Sequence, residues 1–161
     1  MKVNGKPTRT IWLGYNGETV EIIDQTKLPF EFIVVGLNTL DDAAVAISDM
    51  LVRGAPLIGA TAAYGMALAV KDDPSDTGLD NAYKVLYATR PTAINLRWAL
   101  DDLKALLAPL APENRQDAAY KRAQEICDED VDMCSSLGEF GSGVIEDIWT
   151  AKGKPDRVNV L

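Results

Sequence analysis

The sequence predicts an α+β fold that is mostly α, with a short N-terminal antiparallel β-sheet followed by a helical bundle. Three observations carry this reading. Asn16-Gly17 lies between two short apolar runs, a hairpin signal because both residues tolerate positive φ. Past residue 38, apolar residues recur every three or four positions, the period of helices that bury one face. Residues 54–70 carry no charge at all, as expected of a helix buried on every side.

The chain has 161 residues, 47% hydrophobic and 25% charged, enough for one soluble domain with a sizeable core. Its net charge is −8 and it contains no His. That acidic balance argues against a nucleic-acid partner and against a polybasic membrane contact. The start, MKVNGKPTRT, lacks the apolar stretch of a secretory signal. The uncharged run at 54–70 touches the lower length limit for a membrane span, but Pro56, three glycines and many alanines make it weakly hydrophobic. Cys127 and Cys134 fall seven residues apart in a helical pattern. Their Cα atoms are then about 10 Å apart, too far for a disulfide. Reduced core thiols in a cytoplasmic protein are expected. Two Cys without His supply too few of the usual ligands for a zinc site.

Taken in order, Thr8 to Asp24 reads as a hairpin, with Ile11, Trp12 and Leu13 leading in and Val20, Ile22 and Ile23 returning. Residues 24–35 continue extended, Leu28 being held out of a helix by Pro29. Thr39 caps a first helix with Asp41 and Asp42 in its opening turn, and Ala43, Ile47, Met50 and Leu51 mark its apolar face. A second helix begins at Pro56 and runs to about Val70. KDDPSD is a loop, Leu79 to Ala88 a third helix, and Thr92 starts a fourth with Leu96, Leu100, Leu103 and Leu107 on one stripe. After a proline break, a long amphipathic helix runs from Glu113, with Tyr120, Ala123, Cys127, Val131 and Cys134 on one side. It continues through Gly138, Gly141 and Gly143 towards Trp149. KGKPDR is a turn and VNVL opens a buried strand, so the sequence reads as cut rather than finished.

Candidate chemistry lies at two helix starts. In RGAPLIG, Pro56 leaves the amides of Leu57, Ile58 and Gly59 without helical partners, and Gly54 permits close backbone approach. A positive helix end beside the Arg53 guanidinium is an anion site, although an arginine here serves equally well as a carboxylate's partner. The stretch ATRPTAINLRW repeats the arrangement with Arg90, a proline and a helix start at Thr92. Two such arginines suit one phosphorylated polyol. Arg97 lies about two turns along and is expected to be solvated or ion-paired. The acidic group Asp128, Glu129, Asp130 and Asp132 is expected to be a solvated face.

DQTKLP at 24–29, RGAPLIGATAAYG at 53–65, TRPTAINLRWA at 89–99 and SLGEFG at 136–141 together resemble the methylthioribose-1-phosphate isomerase family. That family includes regulatory subunits of the eukaryotic translation initiation factor 2B exchange complex and archaeal ribose-1,5-bisphosphate isomerases. The resemblance implies a two-domain, homodimeric, cytoplasmic enzyme of methionine salvage, an amino-acid biosynthesis route, that needs no cofactor. It turns an aldose 1-phosphate into a ketose 1-phosphate. Residues 1–151 then form an N-terminal β-hairpin plus helical-bundle domain. Residues 152–161 form a linker and the first strand of a Rossmann-like catalytic domain that is otherwise missing. The resemblance implies substrate binding by Arg53, Gly54, Ala55 and Arg90. It places the catalytic cysteine and aspartate after Leu161, so neither Cys127 nor Cys134 is that cysteine, and the fragment alone is expected to be inactive. Its partners are the small sugar 1-phosphate and the remainder of the same enzyme. Alternatives are an isomerase of 5-deoxyribose 1-phosphate or ribose 1,5-bisphosphate, or a non-catalytic regulatory module. Retention of both Arg53 and Arg90 favours the enzyme.

Overall fold

The computed structural model describes residues 2–3 and 5–159. Strands β1 (Lys2–Val3) and β2 (Lys6–Pro7) form a small antiparallel ladder ahead of the expected hairpin. The hairpin itself is β3 (Ile11–Leu13) and β4 (Val20–Ile23), in register Ile11 opposite Ile22 and Leu13 opposite Val20. Its connection is longer than a two-residue turn. Gly14 N–H donates to Thr19 O at 2.8 Å, and Asn16 Oδ1 accepts the amides of Glu18 and Thr19 at 3.1 and 3.0 Å. Of the Asn-Gly pair only Gly17 takes positive φ, 72°.

The extended run expected over 24–35 is largely a compact turn. Asp24 Oδ1 captures the Thr26 amide at 2.9 Å and the Thr26 hydroxyl at 2.7 Å, and Lys27 O accepts the amides of Phe30 and Glu31 at 3.1 and 3.0 Å. Only β5 (Val34–Leu37) is strand, paired antiparallel with β4, which gives the sheet order β3-β4-β5.

Five helices follow: α1 (Leu40–Ser48), α2 (Ala55–Asp72), α3 (Asp76–Thr89), α4 (Ile94–Leu107) and α5 (Pro112–Ala151). Thr39 caps α1 in a reciprocal box: its hydroxyl accepts the Asp42 amide at 3.1 Å, and Asp42 Oδ2 accepts the Thr39 amide at 3.0 Å. Met50 and Leu51 fall outside α1, and Met50 takes φ 60°. Every residue of α2 from Ile58 to Val70 is buried, as its composition predicts. Glycines let neighbours reach it. A Cβ on Gly65 would lie 3.0 Å from Ala43 of α1 and 3.0 Å from Leu86 of α3. Leu96, Leu100, Leu103 and Leu107 of α4 are all fully buried. No helix among the described residues is long and apolar enough to cross a membrane.

The chain divides into two compact units, Met1–Cys127 and Asp128–Leu161. The first holds the sheet, α1 to α4 and the opening of α5. Its sheet is tied to its helices through Glu18: Lys71 Nζ meets the carboxylate at 2.9 Å, and Tyr120 OH donates to the Glu18 carbonyl at 2.9 Å. Arg115 is buried and bridges three segments. It donates to Leu107 O at 3.0 Å, Leu110 O at 3.1 Å, Ala108 O at 3.2 Å and Pro74 O at 2.8 Å. Three of these carbonyls lie at or just after the end of α4, where helical donors run out.

The second unit is the later part of α5 with the segment after it. Tyr120, Ala123 and Cys127 are buried as expected, but Val131 and Cys134 on the same stripe are exposed. Neither Cys127 nor Cys134 is in a disulfide, and only Cys127 is a core thiol. After α5, Trp149 Nε1 donates to Pro155 O at 2.8 Å, and the Lys154 ammonium lies 5.2 Å from the Trp149 ring centre. Of the strand expected over 158–161, residues 160 and 161 lie outside the described residues; Val158 and Asn159 carry no strand pairing.

Candidate functional site

The first helix start is built by the loop from α1 to α2. Gly54 is the residue before α2 and takes φ 96°, ψ 136°, a backbone conformation that side-chain-bearing residues rarely adopt. The helix begins at Ala55, one residue earlier than expected, so Pro56 is its second residue. This shift changes which amides are open. Ile58 N–H already donates to Gly54 O at 3.0 Å, and Gly59 lies inside the helical ladder. No side chain caps this end, and Pro56 has no N–H, so the outward-facing donors are the amides of Gly54, Ala55 and Leu57. Arg53, Gly54 and Ala55 are all exposed. Arg53 Nε makes one long contact to Met50 O at 3.4 Å, which leaves most of its donor fork to solvent.

The turn at 24–27 flanks this start, and sequence reasoning gave it no role. Gln25 N–H donates to Leu51 O at 2.9 Å, docking the turn onto the loop that carries Arg53. The buried Asp24 carboxyl is held below its usual range chiefly by the Thr26 hydroxyl. Burial opposes that, while the Thr26 amide and the positive charges of Lys27 and Arg53 reinforce it. The signal for this turn was available in the Asp-x-Thr spacing of DQT, an Asx-turn pattern.

The second helix start lies after α3. Arg90 is the residue following α3, half-buried, and its carbonyl accepts the Ala93 amide at 2.9 Å. That bond closes a turn over Pro91 and Thr92, so α4 opens at Ile94, with Ala93 before it, and not at Thr92. No side chain caps α4 either. Arg97 is ion-paired as expected, its Nε 3.6 Å from Asp101 Oδ2, and Tyr83 OH donates to the other Asp101 oxygen at 2.7 Å. Beside this start is a groove of about 340 Å³ lined by Pro91, Ile94, Trp98 and their neighbours, with Ile94 and Trp98 both exposed.

The two starts are adjacent. A Cβ on Gly59, one turn into α2, would meet Asn95 O of α4 at 3.0 Å. Two positive helix ends side by side, neither capped by a side chain, repel one another, and an anion between them would relieve that. The ionisable groups beside them include Arg53, Arg90, Lys27, the Arg97–Asp101 pair and an Asp24 carboxylate whose Oδ1 accepts two hydrogen bonds from Thr26. The arrangement can hold an anion.

A small antiparallel sheet leading into a bundle around one wholly buried helix defines an α+β domain that is mostly helical. The chain belongs to the Initiation factor 2 subunit family, whose pattern it matches over residues 51–151. It is 61% identical over 161 residues to methylthioribose-1-phosphate isomerase of Paramagnetospirillum magneticum, a match that covers all of this chain and 44% of that protein. Among solved structures it superposes on 5-methylthioribose 1-phosphate isomerase from Pyrococcus horikoshii with a TM-score of 0.77 at 36% identity, covering 86% of this chain and 41% of that one. It also superposes on the delta subunit of translation initiation factor eIF-2B from A. fulgidus, with a TM-score of 0.70 at 32% identity over 78% of this chain and 38% of that one. The chain thus spans less than half the length of these relatives.

Proposed function

We propose that this chain is the N-terminal, substrate-clamping part of an S-methyl-5-thioribose-1-phosphate isomerase, which converts that aldose 1-phosphate to methylthioribulose 1-phosphate in methionine salvage. The observation that carries the reading is the meeting of the α2 and α4 starts at Gly59 and Asn95, each start preceded by an arginine. The relatives named as methylthioribose-1-phosphate isomerases support the substrate. Arg53, the open amides of Gly54 and Ala55, and Arg90 engage the phosphate and sugar hydroxyls. The family's catalytic cysteine and aspartate belong to a Rossmann-like domain beyond residue 161, and the complete enzyme works as a cytoplasmic homodimer. A non-catalytic role like that of the initiation-factor subunits has no need of two arginines at paired helix starts, so their presence favours the enzyme.

The chemistry explains the division of labour. Esterification of the anomeric oxygen locks the sugar as a ring. Isomerisation needs ring opening and then hydrogen transfer between C1 and C2, and both steps need a positioned acid or base. A clamp contributes positioning and charge stabilisation.

The test is titration of the 161-residue chain with methylthioribose 1-phosphate, followed by amide chemical shifts. Saturable shifts centred on residues 53–57 and 90–95 are expected. Arg53→Ala removes a charge-assisted contact of about 1.5–3 kcal/mol, and so weakens binding by roughly tenfold to a hundredfold with little change in thermal stability. Unaltered affinity with a large stability loss would make Arg53 a structural ion-pair partner and end this reading.

A further inference from the structure

Asp24 is a buried acid, only 7% exposed, in a turn at the edge of the candidate site. Its Oδ1 accepts both the Thr26 amide at 2.9 Å and the Thr26 hydroxyl at 2.7 Å. Its Oδ2 accepts no hydrogen bond among the described residues, and Asp24 forms no ion pair with them. A buried carboxylate is costly unless donors or a cation meet its charge. Here the Thr26 hydroxyl is the chief group that does so.

A cation with open donors stands close by. The Gln25 amide donates to Leu51 O at 2.9 Å, which holds the turn against the loop two residues before Arg53. The Arg53 charge is felt at Asp24, where it helps to keep the carboxyl below its usual range. Yet of the five N–H donors of a guanidinium, only Nε–H is engaged, in the 3.4 Å contact to Met50 O. An acid with an open oxygen and an arginine with an open fork are thus neighbours that do not pair.

We propose that Thr26 is a positioning residue for the anion site: its hydroxyl occupies the Asp24 carboxylate and so leaves the Arg53 guanidinium for the substrate's phosphate. This role rests on the assignment of Arg53 to that phosphate. Without the hydroxyl, the buried carboxylate loses its main donor and takes a cation in exchange. Lys27 and Arg53 are the two whose charges reach it. Arg53 is the better partner, because a planar fork matches a carboxylate and a guanidinium is less strongly hydrated than an ammonium. A guanidinium turned onto Asp24 is withdrawn from the ligand. If Thr26 served only to fold the turn, neutralising Asp24 as well could not repair its loss.

Two readouts on the 161-residue chain test this: its affinity for methylthioribose 1-phosphate, and water exchange at the Arg53 Nε–H signal in the ligand-free protein, followed by nuclear magnetic resonance. Thr26→Val removes the hydroxyl and keeps the shape of the side chain. It is expected to slow exchange at Arg53 and to weaken binding about tenfold or more, as loss of a charge-assisted contact does. Thr26→Ser keeps the hydroxyl and behaves as the unaltered chain. Asp24→Asn alone retains the affinity, and Asp24→Asn added to Thr26→Val restores both readouts. The proposal is overturned if Thr26→Val leaves Arg53 unchanged, as it would if Lys27 took the carboxylate. It is equally overturned if the double variant stays as weak as Thr26→Val, or if Thr26→Ser is no better than Thr26→Val. Should the unaltered chain fail to bind methylthioribose 1-phosphate, the substrate assignment falls, while the Arg53 signal in Thr26→Val still decides whether Thr26 keeps acid and guanidinium apart.

Discussion

Gly54 shows how a single residue couples backbone geometry to the candidate site. Its φ of 96° orients the loop so that Arg53 stands in solvent beside an uncapped helix start. The space around it is open, since nothing lies within 4 Å of a built Cβ. Gly54→Ala therefore tests conformation without a steric clash. It is expected to cost about 1–3 kcal/mol, the usual range for a residue forced into a sparsely populated backbone region. Urea unfolding measures that cost. If the alanine variant keeps full stability, the loop has relaxed to negative φ, and the orientation of the Ala55 and Leu57 amides must change with it. Anion affinity would then fall even though stability had not. Arg115 illustrates the opposite kind of residue. Its ionic partner Asp76 is 87% exposed, so the 2.6 Å pair contributes little in water, and the buried carbonyls it satisfies explain its place.

At the scale of elements, legibility tracked how local the cause was. α2 was readable because a run of small apolar residues with no charge has only one use in a compact domain. α4 was readable from four leucines on one stripe, yet its start was misplaced by two residues, because the Arg90–Ala93 turn spends Thr92 before the helix begins. The turn at 24–33 was misread as extended. What folds it is a side-chain hydrogen bond from Thr26 to Asp24 and a docking bond from Gln25 to Leu51, and the second joins segments far apart in sequence. Cys134 was misplaced in the core because helical period identifies a face and not what covers it. The α1 cap was both legible and consequential. Asp42 accepts the amides of Asn38 at 2.9 Å and Thr39 at 3.0 Å. The Asn38 amide is the main reason its carboxyl titrates below the usual range, with burial opposing and Thr39 reinforcing. A carboxyl whose folded pKa is depressed contributes stability above its unfolded value of about 3.9, and that contribution is lost as pH falls through the folded value. Asp42→Ala is expected to cost about 1 kcal/mol at neutral pH and to flatten the loss of stability below about pH 4. Thermal unfolding across pH 2–7 checks both, and an unchanged acid slope would remove Asp42 from the account.

For the whole molecule, the central inference is a separation of holding from reacting. The groups gathered at the α2 and α4 starts are guanidinium groups and helix ends without side-chain caps, chemistry that suits holding an anion. Asp24, whose carboxyl is held below its usual range chiefly by Thr26 and in small part by the charge of Arg53, is buried, so it is a poor proton carrier. The α5 carboxylates Glu129, Asp132, Glu139 and Glu146 lie in the other unit and are exposed. Binding and turnover should therefore part company in this chain. The 161-residue protein is expected to bind methylthioribose 1-phosphate and not to isomerise it. Loss of the C1 proton signal, followed by nuclear magnetic resonance over many hours, provides the readout. Adding the downstream half of a longer relative is expected to restore turnover, and Arg53→Ala in the present chain to reduce that restored rate through substrate capture, raising KM more than it lowers kcat. Turnover by the chain alone would relocate the acid–base chemistry into residues 1–161. It would direct attention first to Asp24, whose replacement by Asn would then abolish the rate; in the reading favoured here that replacement alters only the docking of the 24–27 turn against the Arg53 loop.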